Sequence, residues 1–299
     1  MEEKQMAENK RLETELQSLR SKATIAKVLT YGSGALMILC FITALIPVAI
    51  VFLVLALIGG YQLEKNSSSL KKLLSDNVIS SVIKEALGDD VEYNPWGRIN
   101  PGSMVFPFSY NTTAGSDHIK AVYHGLNIEL GDIELIDEQE NTDENGQTEK
   151  RSYTQFKGQW LTCDFGKELA GEVYISEWGR KDHRRMKSNV TMDNEPFSKR
   201  FCVRANDPQE AYYILTPHMM EYITSMADKS GGIVYISFLR NGKMHVAVKS
   251  DRDFFELGKS NADVEQLRQK FLGELRWFTD IIDTLRVEDT IYKTKETGK

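Results

Sequence analysis

The 299-residue chain has few of the residues that usually carry catalysis or bind metals. It contains three cysteines and five histidines, and neither an HExxH nor a CxxC motif occurs, so the common zinc patterns are missing. No GxSxG nucleophile elbow is present, and Gly258-Lys259-Ser260 lacks the glycine-rich approach of a phosphate-binding loop. We therefore predict no catalytic residue, no metal and no cofactor, and the sequence favours a non-enzymatic role.

An excess of positive charge is also missing. The net charge is -6, which argues against a nucleic-acid binder because such proteins need a cationic face for phosphates. Cys40, Cys163 and Cys202 make an odd number with no spacing typical of a disulfide framework. We expect three free thiols, which suits a reducing compartment.

Charged residues are absent from Val28 to Leu63. A single membrane-spanning helix needs only about 20 apolar residues, so this run is too long for one span. Pro47 lies near its middle and favours a break in the helix. We predict a transmembrane helical hairpin over residues 23–63, with a first helix from about Ala23 to Ile46 and a second from Pro47 onward.

Both flanks of the apolar run are basic, and basic flanks remain in the cytoplasm. A hairpin satisfies both flanks at once, so we expect a multi-pass protein of the inner (plasma) membrane with both termini cytoplasmic. The rival is one span near residues 28–46 with residues 48–63 in the interface, which places the soluble domain outside. The flanking basic residues are Lys10, Arg11, Arg20, Lys22 and Lys27 before the run and Lys65, Lys71, Lys72 and Lys84 after it.

The remaining composition divides the chain further. We predict a polar helical leader over residues 1–22, an amphipathic linker helix over 64–90, a soluble domain over 91–287 and a polar tail over 288–299. Within the domain, short alternating runs predict many strands, and Asn261–Leu285 has the apolar spacing of a long amphipathic helix. The fold class is α+β with a mainly antiparallel sheet, for which a partial barrel is one arrangement.

Two turns are predicted from composition. Asp137–Lys150 is polar and acidic, which is typical of a flexible loop between two strands. Asn241-Gly242 separates two alternating runs and predicts a type I′ turn.

A compact basic cluster lies in residues 178–187. As an exposed loop it needs no further role, but in a membrane-tethered domain it is also a candidate contact for anionic lipid headgroups or an acidic protein partner. Its members are Arg180, Lys181, His183, Arg184, Arg185 and Lys187.

Residues 207–218 are a second candidate functional surface. Asp207 and Glu210 come at the start of a predicted helix, where carboxylates stabilise free N–H groups, and His218 follows the N-cap-type pair Thr216-Pro217. Capping explains the carboxylates without catalysis, and we favour it. His118 and His124 lie six residues apart on one predicted strand, where two structural histidines are favoured over a metal pair.

The C-terminal part resembles a bacterial membrane-protein family known only as domain of unknown function 3137. The resemblance spans roughly residues 100–285 and implies no reaction, because none is assigned to the family. It implies N-terminal apolar segments followed by this domain. The residues that carry it are Phe156-Lys157-Gly158, Asp164-Phe165-Gly166-Lys167, Gly171, the run from Phe201 to Met220 that contains DPxEAxYxLTP, Ile236-Ser237-Phe238 and Asp253–Glu256.

Three functions remain in competition. The first is a binding or scaffolding module held at the cytoplasmic face of the membrane, with a protein partner. The second is a reader of anionic lipid headgroups that uses the basic cluster. The third is an unrecognised membrane-tethered hydrolase or transferase with Asp207, Glu210 or His218 in its site. The sequence favours the first.

Overall fold

The computed structural model describes residues 2–43, 45–102, 108–142, 148–164, 169–177, 188–250, 252–256 and 262–287. They form two units, residues 1–82 with 259–270 and residues 83–258 with 271–299. The helices are α1 (Glu2–Ile42), α2 (Ile46–Leu74), α3 (Ser80–Leu87), α4 (Glu195–Arg200), α5 (Pro208–Ile214), α6 (Pro217–Ser230) and α7 (Val264–Val287), with a π-helical turn over Ser75–Ile79. The strands are β1 (Val91–Asn94), β2 (Thr112–Tyr123), β3 (Leu126–Thr142), β4 (Thr148–Asp164), β5 (Val173–Glu177), β6 (Phe201–Ala205), β7 (Ile233–Phe238) and β8 (Lys243–Lys249).

In the first unit, α1 and α2 form an antiparallel helical hairpin. The chain reverses between the end of α1 at Ile42 and the start of α2 at Ile46. Pro47 lies in the first turn of α2, where its missing N–H would have no helical partner. The predicted division at Pro47 is confirmed to within a few residues. The helices do not begin or end where the composition changes, at residues 22 and 63. α1 includes the polar leader, and α2 continues through residues 66–69.

The two helices meet through small side chains. A Cβ atom on Gly59 would lie 2.6 Å from Thr30 Oγ1 and 2.9 Å from the Thr30 backbone nitrogen, so the backbones are in close approach there. Three buried residues on α1, Ala26, Ser33 and Cys40, recur every seven positions, the repeat of a left-handed helix pair. The small buried side chains of the hairpin are Ala26, Ser33, Cys40 and Ala49.

In the second unit, eight strands form one open antiparallel sheet in the order β1-β2-β3-β4-β8-β7-β5-β6. The predicted α+β class with a mainly antiparallel sheet and a long C-terminal helix is confirmed. The partial barrel is not found, since β1 and β6 are the two edges of the described sheet. One cluster of the core is rich in aromatic side chains and contains Ile99, Phe108, Ile133, Leu135, Phe156, Trp160, Tyr235 and Ala247.

The acidic stretch Asp137–Lys150 is not mainly a loop. β3 continues to Thr142 and β4 begins at Thr148, so most of the stretch is a two-stranded ribbon. Residues 143–147 lie outside the described residues. Opposite charges on facing residues stabilise the ribbon locally, as where Lys150 Nζ lies 2.6 Å from Glu140 Oε1. Composition alone favoured a loop because it carries no information about these cross-strand pairs.

The β7–β8 turn differs from the predicted type. Leu239 C=O accepts the Gly242 N–H at 3.1 Å, and Gly242 has positive φ, but Asn241 is not among the described residues with positive φ. The predicted type I′ turn is therefore wrong, and the geometry fits a three-residue loop closed by a glycine bulge. Type I′ signs occur instead between β2 and β3, where His124 has φ 50° and Gly125 has φ 83°.

We predict that Gly59→Ala loosens the helical hairpin while Gly60→Ala does not. A Cβ on Gly59 would meet the backbone of Thr30, whereas one on Gly60 has nothing within 4 Å. Overpacking of this kind costs about 1–3 kcal/mol. Thermal unfolding of the helices in detergent micelles, followed by circular dichroism, should show a lower midpoint for Gly59→Ala only. Equal midpoints for the two variants would show that the close approach is unimportant.

Candidate functional site

The basic cluster of residues 178–187 lies outside the described residues. Arg180, Lys181, His183, Arg184, Arg185 and Lys187 therefore remain a prediction. The described residues on either side of this segment in the sequence are Glu177, the last residue of β5, and Ser188.

Asp207 and Glu210 have local structural positions. Asp207 is the N-cap of α5, and its Oδ1 accepts the Gln209 N–H at 2.9 Å. Glu210 lies in the first turn of that helix, with its Cγ near Gly171, where an added Cβ would approach to 3.1 Å. These contacts support the capping interpretation rather than catalysis.

His218 lies exposed in the first turn of α6, after Thr216, whose hydroxyl accepts the Met219 N–H at 3.2 Å. The predicted N-cap is confirmed. Tyr212 and Tyr213 are both exposed on α5. Neither of the two clefts identified in the described residues is lined by Asp207, Glu210 or His218.

One polar surface is a cleft of about 310 Å³ between α6 and α7. It combines two carboxylates, an ammonium group, hydroxyls and aromatic rings on two packed helices. Groups of this kind can hold a polar or charged ligand by hydrogen bonds and ion pairs. Its lining consists of Tyr222, Ser225, Met226, Lys229, Trp277, Asp280, Asp283 and Thr284.

Asp283 ties this cleft to the β2–β3 turn. Its Oδ2 accepts the Tyr123 hydroxyl at 2.8 Å, and its Oδ1 lies 2.9 Å from His124 Nδ1. The Tyr123 and His124 rings are stacked, with centroids 4.1 Å apart. The type I′ turn at His124-Gly125 thus presents two neighbouring side chains to one carboxylate.

The tyrosines beside the cleft remain protonated at neutral pH. Burial, followed by the hydrogen bond and charge of Asp283, raises the pKa of Tyr123 to about 12. Burial also raises the pKa of Tyr222, whose hydroxyl donates to the Asp280 carbonyl oxygen at 3.0 Å. Both hydroxyls therefore act as fixed hydrogen-bond donors, so the arrangement suits binding better than proton transfer.

His118 and His124 do not form a metal pair. A bulge between Ser116 and Ile119 interrupts β2, and His118 Nε2 lies 3.0 Å from Glu129 Oε2. Each histidine therefore has its own carboxylate partner. Among the described residues there is no group of three or more side chains arranged to hold a metal ion.

A strained turn at Phe254-Phe255 is held by carboxylates. Both oxygens of the buried Asp132 accept the Phe254 N–H, at 3.0 and 2.9 Å, and Glu274 Oε2 accepts the Phe255 N–H at 3.0 Å. Phe255 has φ 56°, which is unfavourable for a bulky residue. The Asp253–Glu256 segment was noted in the sequence for its resemblance alone, and it has a structural role in fixing this turn.

Sequence reasoning missed the cleft, the Asp283 network and the Asp132 contact. Tyr123 and Asp283 are 160 positions apart, and Asp280 and Asp283 look like ordinary polar positions of an amphipathic helix. One signal was available, because His124-Gly125 between two strands is a position where positive φ is common.

Cys163 and His245 are buried in the sheet. Burial, with a smaller effect of the Asp164 charge, raises the pKa of Cys163 to about 12, so the reactive thiolate form is disfavoured at neutral pH. Burial, assisted by Lys243, lowers the pKa of His245 to about 4. His245 Nδ1 accepts the Trp160 indole N–H at 3.0 Å, and this bond requires the unprotonated nitrogen.

We predict that His245 makes the fold acid-sensitive. Because its folded pKa is lowered from 6.5 to about 4, the unfolded chain takes up the proton first, and stability falls as pH drops below about 6.5. The linkage amounts to about 2 kcal/mol between pH 7 and pH 5. Urea unfolding of His245→Gln in detergent should lose this part of the pH dependence, whereas the exposed control His218→Gln should retain it. An unchanged dependence in His245→Gln would contradict the assignment.

Comparison with known proteins shows a similarity to one family but indicates no activity. No protein with a curated description matches the sequence. The chain is similar to the crystal structure of the mycobacterial trehalose monomycolate transport factor A, with 9% sequence identity and a TM-score of 0.39. The similarity covers 68% of this chain and 92% of that chain.

The family model described as "Protein of unknown function (DUF3137)" matches residues 154–287. The match begins inside β4, so residues 100–153 of the expected resemblance are not covered by it. The similarity to this family therefore applies to residues 154–287.

Proposed function

We propose that this protein is a non-enzymatic binding or scaffolding module, anchored in a bacterial inner membrane by its N-terminal hairpin. The hairpin enters the membrane from the cytoplasmic side, and both termini lie in the cytoplasm. The sheet unit then presents its polar surfaces to a protein partner near the membrane.

The observation that carries this proposal is the exposure of apolar side chains along both helices. α1 and α2 are long and apolar enough to cross a membrane, yet few of the residues in their most apolar windows are buried. A core helix of a soluble protein buries such side chains, and an exposed surface of this extent needs an apolar solvent. Val28 and Leu57, for example, are 69% and 65% exposed.

The charges at the hairpin's open end support the orientation. Lys22 and Lys27 precede the apolar segment of α1, and Lys65, Lys71 and Lys72 follow that of α2. Basic residues near membrane-inserted segments favour the cytoplasmic side, and an antiparallel hairpin places both groups on one side.

The cleft between α6 and α7 supports a binding role for the sheet unit. Its two carboxylates, its lysine and the Tyr222 hydroxyl are hydrogen-bonding groups held on two packed helices. The buried titratable groups of the described residues are engaged in structural contacts such as Asp132 with Phe254. The lipid-headgroup hypothesis rests on the basic cluster and has no observation from the described residues to favour it.

We predict that single cysteines at Ser18 and Gln139 are both shielded from the outside of intact cells. Both positions are exposed, one on α1 before the apolar segment and one on the β3–β4 ribbon. The native thiols give little background because burial raises the pKa of Cys163 and Cys202. A membrane-impermeant maleimide should label both sites only after permeabilisation, and carbonate-washed membranes should retain the chain.

Each alternative gives a different labelling pattern. Labelling of Gln139→Cys alone in intact cells would indicate one span with the sheet unit outside. Labelling of both sites would reverse the hairpin. Release of the chain by carbonate would end the anchoring proposal.

We also predict position-specific crosslinking from the cleft. A photoreactive benzoylphenylalanine at Ser225 lies in the cleft, whereas one at the exposed Glu221 lies on the same helix outside its lining. Irradiation of cells should give a discrete adduct from position 225 and not from 221. The same adducts from both sites, or none from either, would argue against the cleft as the binding surface.

A further inference from the structure

The turn of the hairpin has an unusual composition for a segment that contacts water. Residues 43–47 read Thr-Ala-Leu-Ile-Pro, with no charge, glycine, asparagine, tyrosine or tryptophan. Loops in water are rich in polar residues and glycine, and the ends of membrane-spanning helices commonly carry aromatic or basic anchors. The closed end of the hairpin has none of these.

Two described backbone donors of the turn are paired within the hairpin. The Thr43 N–H donates to Leu39 O at 3.1 Å, and the Leu45 N–H donates to Cys40 O at 2.9 Å. The Thr43 hydroxyl donates to Leu39 O at 3.1 Å, and Pro47 has no N–H to satisfy. Internal pairing of donors is the condition for placing backbone in hydrocarbon.

Although both helices are long enough to cross a membrane, the part of each arm between its nearest charged residue and the turn is short for a full crossing. From Lys27 to Ile42 the helix rises about 23 Å, and from Ile46 to Glu64 about 27 Å, at about 1.5 Å per residue. Both values fall below the roughly 30 Å hydrocarbon core, and any tilt reduces the reach further.

The open end, in contrast, carries the features of a membrane interface. Tyr31 and Tyr61 are 70% and 69% exposed. They lie about 17 and 23 Å along their helices from the turn, at about 1.5 Å per residue. Lys27, Glu64 and Lys65 follow just beyond them. Exposed tyrosines beside charges are typical of the headgroup level. Starting from that level, the arms end inside the far leaflet.

We propose that the hairpin inserts from one face only and that its turn stays inside the bilayer, out of contact with the opposite aqueous phase. This inference rests on the proposed membrane anchoring and refines it. The two helices form a re-entrant wedge held by the Thr30–Gly59 contact, and the protein exposes nothing on the far side. The rival is a full crossing in which the bilayer thins to meet the turn.

The test is a comparison of spin-label accessibility in the full chain. Single cysteines are placed at Ser18, Val54 and Leu45 in a Cys40→Ala background, labelled with a nitroxide, and reconstituted into phosphatidylethanolamine–phosphatidylglycerol vesicles. Ser18 is exposed outside the apolar segment, Val54 is exposed mid-arm, and Leu45 is exposed in the turn. Collisions with water-soluble nickel-EDDA and with membrane-soluble oxygen are measured at each site.

We expect nickel-EDDA accessibility at Leu45 to equal that at Val54 and to be several-fold lower than at Ser18, with oxygen accessibility in the reverse order. High nickel-EDDA accessibility at Leu45 together with low accessibility at Val54 would show a full crossing, which overturns the embedded turn and leaves the anchor intact. High nickel-EDDA accessibility at both Leu45 and Val54 would overturn the membrane anchor itself.

Discussion

The ladder between β3 and β4 holds the sheet unit together, because each strand carries a different half of the sheet on its other edge. β3 pairs with β2, which in turn pairs with β1. β4 pairs with β8, which leads to β7, β5 and β6. Phe156 and Trp160 on β4 meet Ile133 and Leu135 on β3 in the aromatic core. The DUF3137 match begins at residue 154, inside β4, so the matched segment contains most of β4 but not β3, its partner in this ladder.

Sequence patterns were sufficient where the physics is local. Pro47, Asp207 and Thr216 each act within one helical turn, and each lies where the sequence placed it, at a helix start. Apolar periodicity likewise predicted α7 to within a few residues. Local rules failed for the β3–β4 ribbon and for Asn241, since the number of loop residues and the strand register select the turn type together.

The candidate cleft could not be predicted because its parts are distant in sequence. Tyr123, Tyr222 and Asp283 come from a strand and two helices, and nothing in a single sequence pairs them. Of the residues that the sequence did select, Asp207 caps α5 and Glu210 lies in the first turn of that helix, positions that agree with the structural role favoured for them.

The two units place their polar groups by opposite rules, and this difference bears on function. In the hairpin, hydroxyls bond to carbonyls of their own helix, as Thr30 does to Ala26, and apolar side chains face outward. In the sheet unit, buried polar groups are paired over long sequence separations, as Asp132 with Phe254 and Trp160 with His245. Groups engaged in this way rigidify a scaffold but are not available to react. A rigid scaffold with polar clefts, attached to an apolar hairpin, is suited to recognition at a membrane surface.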